Sequence, residues 1–399
     1  MIKNVFVVFI IFFLGSCTQN KVVGPWDLNV LFEAPEWVEA DTALQPGMKA
    51  ILYESIDYDT KPVQVFAYYS APAGSVPEGG WPAVVCVHGG GGTAFHEWVQ
   101  NWNDHGFAAI SMDLEGHYPL RKPGERRGPR LSTPKPGPTR VGVFGDYKET
   151  IEKQWYYHAV SQAILAHSLI RSFPEVNPEK IGVTGISWGG TLTSTLMGVD
   201  DRFAFAIPVY GCGFLPESDG HQGETIKPGL QTEVVNQYYD GSAYFSNVNI
   251  PTLWVNGTND KHFPIPATQE SSRAVYGPAT LRIELRMRHG HYPGWEPEEI
   301  YAFAKSVVED GEPLMQFESP KIKGDVVSVL FNTSKELKNT SLLCTADTGV
   351  WNQRRWKELE ATVNDNVISS FLPDSATAVY FNAIDQDDLM VSSSFIEVE

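Results

Sequence analysis

Positive charge is in short supply. The 399-residue chain carries 30 Lys and Arg against 48 Asp and Glu, a net charge of -18. That sign argues against a general nucleic-acid binder and leaves small-molecule or glycan partners open. Cysteine is scarce too: Cys17, Cys86, Cys212 and Cys344 are the four. With Cys17 set aside as part of an N-terminal signal, the other three are odd in number and have no paired spacing. Neither a disulfide framework nor a zinc site is expected, and no metal or organic cofactor is assigned. Cys86 falls inside an apolar run and reads as a core residue. There is no internal repeat and no low-complexity tract. Long apolar runs are missing apart from Val5 to Leu14, which is too short to span a membrane as a mature anchor.

That run does have a role. Lys3, the apolar stretch and Leu14-Gly15-Ser16-Cys17 follow the layout of a bacterial secretion signal. Leu-Gly-Ser-Cys resembles the lipobox of bacterial lipoproteins, which implies that Cys17 is lipidated and becomes the first mature residue. The expectation is an exported protein of the bacterial cell envelope, in the outer membrane or periplasm, held by its lipid alone; a plain secretory signal cut nearby is the alternative. Residues 1–17 are then the signal and 18–45 an N-terminal extension.

From Lys49 to Tyr69 apolar and polar residues alternate around Asp57-Tyr58-Asp59, as in two antiparallel strands joined by a turn. Ala83 to His88 is a continuous apolar run suited to a strand buried on both faces. A helix over Ala94–His105 and a strand over Ala108–Asp113 follow, so the order becomes β, α, β. Further helices are expected over Ile151–Phe173, Thr191–Met197, Ala267–Tyr276 and Pro297–Val308. Strands are expected at Ile181–Ile186, Phe203–Tyr210, Pro251–Asn256 and Thr280–Met287. Residues 116–146 and 211–247 break the rhythm and read as irregular insertions. The fold class is therefore α/β with a mostly parallel central sheet of five or more strands.

Near Gly311 the pattern changes to short alternating runs, Val326–Phe331, Ser341–Ala346, Glu360–Val363, Ala376–Ala383 and Val391–Val398. This is the signature of a small all-β sandwich over 312–399. Leu372-Pro373 followed by Val379-Tyr380-Phe381 resembles the tyrosine-corner strand of fibronectin type III and immunoglobulin-like modules. Such a sandwich either packs on the preceding domain as a spacer or binds glycan through Trp351 and Trp356, burial being the commoner state of tryptophan there.

The chemistry centres on Gly185-Ile186-Ser187-Trp188-Gly189, where a β-branched strand feeds a helix. A chain that turns so sharply crowds its own backbone, and Gly185 and Gly189 lack the Cβ that would clash. The turn presents the Ser187 hydroxyl as a nucleophile. Serine needs a base to take its proton and an acid to orient that base. Asp260 stands just past the carboxyl end of a predicted strand, where such sheets gather their ligands. His289 and His291 stand on a Gly-bearing loop after the last strand. Donors for the developing oxyanion are available from the Trp188 backbone N–H and from His88-Gly89-Gly90-Gly91-Gly92.

Taken together, residues 46–311 resemble the α/β-hydrolase superfamily, in its acetylxylan esterase, dienelactone hydrolase and prolyl oligopeptidase-like branch. His88 to Gly92, Gly185 to Gly190, Gly257 to Asp260 and His289 to His291 carry the resemblance. It implies an α/β-hydrolase fold and a Ser187–His291–Asp260 triad, with His289 as the alternative base. It also implies an oxyanion hole made by Gly90 and Trp188, with Gly91 the alternative to Gly90. Acetylxylan esterases commonly have Gln after the serine where this chain has Trp188, and dienelactone hydrolases use cysteine where it has Ser187. The function implied is a serine carboxylic-ester hydrolase removing acyl groups, acetyl foremost, from a polysaccharide or oligosaccharide. The alternatives are a prolyl oligopeptidase-like serine peptidase and a non-catalytic glycan-binding surface lipoprotein.

One cluster of cations stands out from the acidic whole. Arg121, Lys122, Arg126, Arg127, Arg130, Lys135 and Arg140 face a single acid, Glu125, between 121 and 140. Because the insertion follows the carboxyl end of a strand, Arg126, Arg127 and Arg130 are expected to meet an acidic glycan.

Overall fold

The computed structural model describes residues 24–40, 47–120, 128–131, 136–309 and 311–398. Cys17, Arg126 and Arg127 lie outside the described residues.

A single turn, α1 (Leu28–Leu31), and a short strand, β1 (Trp37–Glu39), precede a hairpin of β2 (Lys49–Tyr58) and β3 (Lys61–Ser70). Asp59 and Thr60 close that hairpin with φ of 50° and 60°, the left-handed pair that matches the twist of the flanking strands. The chain then alternates through β4 (Trp81–Val87), α2 (His96–Asp104), β5 (Ala108–Met112), α3 (Trp155–Arg171), β6 (Val176–Ile186), α4 (Trp188–Val199) and β7 (Phe205–Val209). Two short helices, α5 (His221–Thr225) and α6 (Leu230–Val234), lead to β8 (Thr252–Gly257), α7 (Ile265–Ala274), β9 (Ala279–Glu284), α8 (His291–Trp295) and α9 (Glu298–Val308).

Spatial order in the sheet is β1-β2-β3-β5-β4-β6-β7-β8-β9, parallel from β5 to β9 and antiparallel through β1 to β3. Every residue of β5, β7 and β8 is buried. Strands covered by helices on both faces need continuous apolar runs, which is why the sequence there does not alternate. The chain enters at β4, steps to β5 on one side, then crosses to β6 on the other. The carboxyl ends of β4 and β6 thus flank the point where strand order reverses, a natural crevice for a ligand. The turns after β4 and β6 carry His88 and Ser187.

Several boundaries differ from the sequence expectation for local reasons. Helix α3 starts at Trp155, whose N–H donates to Asp146 Oδ2 at 2.6 Å; Ile151–Lys153 form a separate 3-10 turn. Strand β9 stops at Glu284 because Arg286 turns the chain with φ 60°. Residues 211–247, expected to be irregular, hold α5, α6 and a π-helical turn at Val235–Tyr239. Buried Asp240 organises them by accepting the N–H groups of Phe214, Leu215 and Ser242.

The C-terminal region is antiparallel β structure. It comprises β10 (Gln316–Phe317), β11 (Lys321–Lys323), β12 (Val326–Asn332), β13 (Leu337–Thr345), β14 (Trp356–Glu360), β15 (Thr362–Asn364), β16 (Val367–Phe371), β17 (Ala378–Asp385), β18 (Met390–Ser392) and β19 (Ile396–Glu397). One sheet runs β10-β12-β16-β15. The other, β18-β17-β13-β14, joins the central sheet where Ser392 pairs with Leu281 of β9. Tyr380 does not form the expected corner within its own region: its hydroxyl donates to the Ile283 carbonyl of β9 at 3.3 Å. Trp351 and Trp356 are buried and pack with Ile265, Ile283 and Tyr380. Their faces stabilise the junction with the central sheet and are not open to a glycan.

Candidate active site

Ser187 stands at the junction of β6 and α4 with φ 60° and ψ -117°, a backbone state that costs a residue with a side chain on the order of 1–3 kcal/mol. The surroundings enforce it. A Cβ on Gly185 would strike the Gly189 carbonyl, and one on Gly189 would strike the Val87 carbonyl of β4. The two glycines allow strand and helix to meet closely enough to raise the serine hydroxyl above the sheet.

His289 meets that hydroxyl. Its Nε2 lies 2.9 Å from Ser187 Oγ, and its Nδ1 lies 2.5 Å from Asp260 Oδ2. The imidazole therefore bridges serine and carboxylate. Asp260 is buried, and its Oδ1 accepts the N–H groups of His262 and Phe263 at 2.8 and 2.9 Å. Those bonds fix the carboxylate in the turn after β8. Tyr210, at the end of β7, lies with its ring centroid 4.7 Å from that of His289, and its hydroxyl donates to the Arg288 carbonyl at 2.7 Å. It supports the histidine loop from the side.

The sequence expectation that His291 faces the serine is corrected here. The chain is extended at Gly290, and α8 begins at His291, so the second imidazole is carried by the helix toward the loop after β4. Its Nε2 accepts the Gly89 N–H at 2.9 Å, and its ring packs on Phe95 with centroids 4.7 Å apart. The two histidines serve separate partners.

The glycine loop is ordered from beneath by His88. The Leu114 N–H donates to His88 Nε2 at 2.9 Å, which leaves Nδ1 to carry the proton it gives the Gly89 carbonyl at 2.7 Å. Within the loop, Gly89 N–H goes to His291, Gly91 N–H to Glu115 Oε1 at 3.2 Å, and Gly92 N–H to the Gly89 carbonyl. Gly91, the alternative oxyanion donor, is thus engaged elsewhere. Gly90 is the member of the run whose N–H has no acceptor among the described residues, and the same holds for the Trp188 N–H in the first turn of α4. A Cβ on Gly89 would lie 3.1 Å from Ser187 Cβ, and one on Gly90 would lie 2.8 Å from Trp188 Cδ1. Loop and elbow are therefore in contact. Two free N–H groups beside a serine–imidazole–carboxylate chain can polarise a carbonyl and hold the oxyanion formed on attack.

Of the three arginines expected at the substrate, Arg130 is turned onto its own loop: Nη1 donates to the Glu115 carbonyl at 3.0 Å and Nη2 to that of Gly137 at 2.7 Å. It braces the segment. Arg140 of the same insertion comes to the site instead, with its guanidinium over the rings of Trp188 and Trp155 at 5.4 and 5.8 Å. His262, also unforeseen, lies with its ring 4.8 Å from that of His289 and accepts the Gln222 amide at 3.0 Å through Nδ1. Burial first, and the nearby His289 second, lower its pKa to about 4. Its position after Asp260-Lys261 was a signal that could have been read.

The strand order and the strand-elbow-helix carrying Ser187 define an α/β-hydrolase fold, and the site supports the serine hydrolase class within it. Comparison with known proteins is consistent with this. Residues 46–217 match the acetyl xylan esterase (AXE1) family model, and residues 143–295 match that of the prolyl oligopeptidase family. The acetyl xylan esterase from Paenibacillus sp. R4 superposes with a TM-score of 0.55 at 20% identity, over 70% of this chain and 92% of that one. Acetyl xylan esterase 1 from Thermoanaerobacterium sp. JW/SL YS485 gives 0.52 at 15% identity, over 66% and 87%. At these identities the likeness is one of fold. The uncharacterized peptidase YuxL of Bacillus subtilis (strain 168) is 29% identical over 161 residues, 39% of this chain. That match spans 21% of the length of the curated relative.

Proposed function

We propose that this chain is a serine carboxylic-ester hydrolase that removes acyl groups, acetyl foremost, from a polysaccharide or oligosaccharide. The observation that carries the reading is the His289 ring spanning Ser187 Oγ and Asp260 Oδ2. Ser187 attacks the ester carbonyl while His289 Nε2 takes its proton. Asp260 keeps the Nδ1–H directed at itself and stabilises the imidazolium that forms. The Gly90 and Trp188 N–H groups hold the oxyanion. On collapse the proton returns from His289 to the leaving sugar hydroxyl. Water, deprotonated by the same histidine, then releases the acid from the acyl-enzyme. The acetyl xylan esterase match over 46–217 supports an ester and a glycan as substrate.

Hydrolysis of an aryl acetate by the wild type and by Ser187→Ala tests this: turnover in the wild type should be lost in the variant by three or more orders of magnitude, about the cost of removing a triad member. No turnover of any short acyl ester, or an alanine variant that retains full activity, would defeat it and favour a non-catalytic glycan-binding role. The prolyl oligopeptidase family match over 143–295 motivates a second reading, under which aminoacyl amides would be cleaved in preference to esters. Anchorage of the exported chain through lipid on Cys17 belongs to the same proposal. Labelling with a radioactive fatty acid should mark the wild type and leave Cys17→Ala unmarked.

A further inference from the structure

The basic insertion does deliver one cation to the site, and it is held in a fixed pose. Arg140 Nε donates to Glu115 Oε1 at 3.2 Å, and Nη1 donates to the Gly142 carbonyl at 3.0 Å. The plane lies over Trp188 and Trp155. Nη2 has no acceptor among the described residues, and a Cβ on Gly90 would come within 2.9 Å of it. The free edge of the guanidinium thus lies beside Gly90 and Trp188, the two residues that frame the oxyanion position. The Arg140 side chain is 19% exposed.

Pairing with Glu115 occupies only one end of the guanidinium. Glu115 is 1% exposed and also accepts the Gly91 N–H, and the guanidinium meets it through Nε alone. The other end has been fixed in direction with its entropy already lost, in a chain of net charge -18. An immobilised, partly desolvated guanidinium nitrogen that keeps its positive charge favours an anionic acceptor, because a charge-assisted N–H bond to a carboxylate oxygen is about twice as strong as one between neutral groups.

We propose that Arg140 recognises a carboxylate on the sugar that bears the scissile ester, so that the substrate class is an acylated uronic-acid-containing glycan. This rests on the esterase reading above. The carboxylate of the bound sugar docks on the Nη2 edge while the ester carbonyl lies against Gly90 and Trp188. Arg140 is a specificity-determining residue that contacts the substrate away from the bond that breaks.

The test compares a mono-acetylated methyl glucuronoside with the equally acetylated methyl glucoside, which differ by carboxylate against hydroxymethyl. Wild type should favour the uronoside by about tenfold or more in kcat/KM, the scale of one charge-assisted pair, and the preference should shrink in high salt. In Arg140→Gln the ratio should fall toward one whatever the absolute rates, and Arg140→Lys should retain part of it. Binding of methyl glucuronoside and methyl glucoside to Ser187→Ala, measured by calorimetry, reads the same preference without turnover. It therefore separates failure of the carboxylate site from failure of the esterase chemistry. Equal handling of the two sugars by the wild type overturns the proposal. So does an Arg140→Gln variant that slows both substrates alike while keeping the wild-type ratio, since that would mark Arg140 as support for the glycine loop only.

Discussion

His291 Nε2 accepts the backbone N–H of Gly89 at 2.9 Å. A histidine two residues beyond the one that meets Ser187 therefore anchors the loop that carries Gly90. This contact needs an unprotonated Nε2, since the N–H is the donor. It also gives the pair His289 and His291 distinct expected phenotypes.

His289→Ala should lower kcat/KM on an aryl ester by about a thousandfold or more, through loss of the base. His291→Ala should cost about tenfold, mostly in kcat, by loosening the Gly90 donor. His291→Gln, whose side-chain oxygen can still accept a hydrogen bond, should recover part of it. Steady-state kinetics decides; a deeper loss in His291→Ala than in His289→Ala would reverse the assignment.

His262 predicts a pH dependence of stability. Its folded pKa is lowered to about 4 from its ordinary 6.5, by burial and then by His289. Between those values the unfolded chain binds a proton that the folded chain does not, so stability rises with pH in that window. The contribution is whole above about pH 6.5, declines as pH falls toward 4, and changes no further below that. Melting temperatures measured from pH 7.5 to 5 should drop less steeply for His262→Gln than for the wild type, and parallel curves would contradict the assignment.

Gly189→Ala probes the elbow. The added methyl carbon would meet the Val87 carbonyl, which β4 holds rigidly in the sheet. Urea denaturation should show a loss of at least about 1–3 kcal/mol, the usual cost of forcing an atom into a packed interior. A variant as stable as the wild type would contradict so close an approach of α4 to β4.

The C-terminal region should be inseparable from the hydrolase sheet. The Ile283 carbonyl of β9 accepts Tyr380 Oη and Asn382 Nδ2 at 3.3 and 3.2 Å, and the Ile283 N–H donates to Ser392 Oγ at 2.7 Å. Tyr380→Phe should cost about 1 kcal/mol by thermal or urea unfolding, one buried hydrogen bond. Deleting residues 312–399 strips the edge of β9 and exposes Leu281 and Ile283, so the truncated protein should aggregate. A soluble, active truncation would refute this.

What could be read in the residue order was what the backbone demands locally. Ser187 needs glycines on both sides, β4 needs an unbroken apolar run, and Asp260 needs a turn beyond a buried strand. Each is a short-range constraint that leaves a mark in sequence. Which histidine serves Ser187 left no such mark, because His289 and His291 share one loop and one residue type. The extended Gly290 and the start of α8 separate their directions, and only the packing of that helix against Phe95 and Gly89 decides where each ring points. The arginines of the insertion are alike in the same way. Arg130 and Arg140 are equally charged, yet one is turned onto the carbonyls of its own loop and the other onto the rings of Trp188 and Trp155. Tyr380 likewise fitted a corner within its own region until β18 paired with β9 and brought the Ile283 carbonyl within its reach. The physical reason is common to all three: a side chain's partner across the molecule is set by the closure of distant elements, and chain order does not encode that distance.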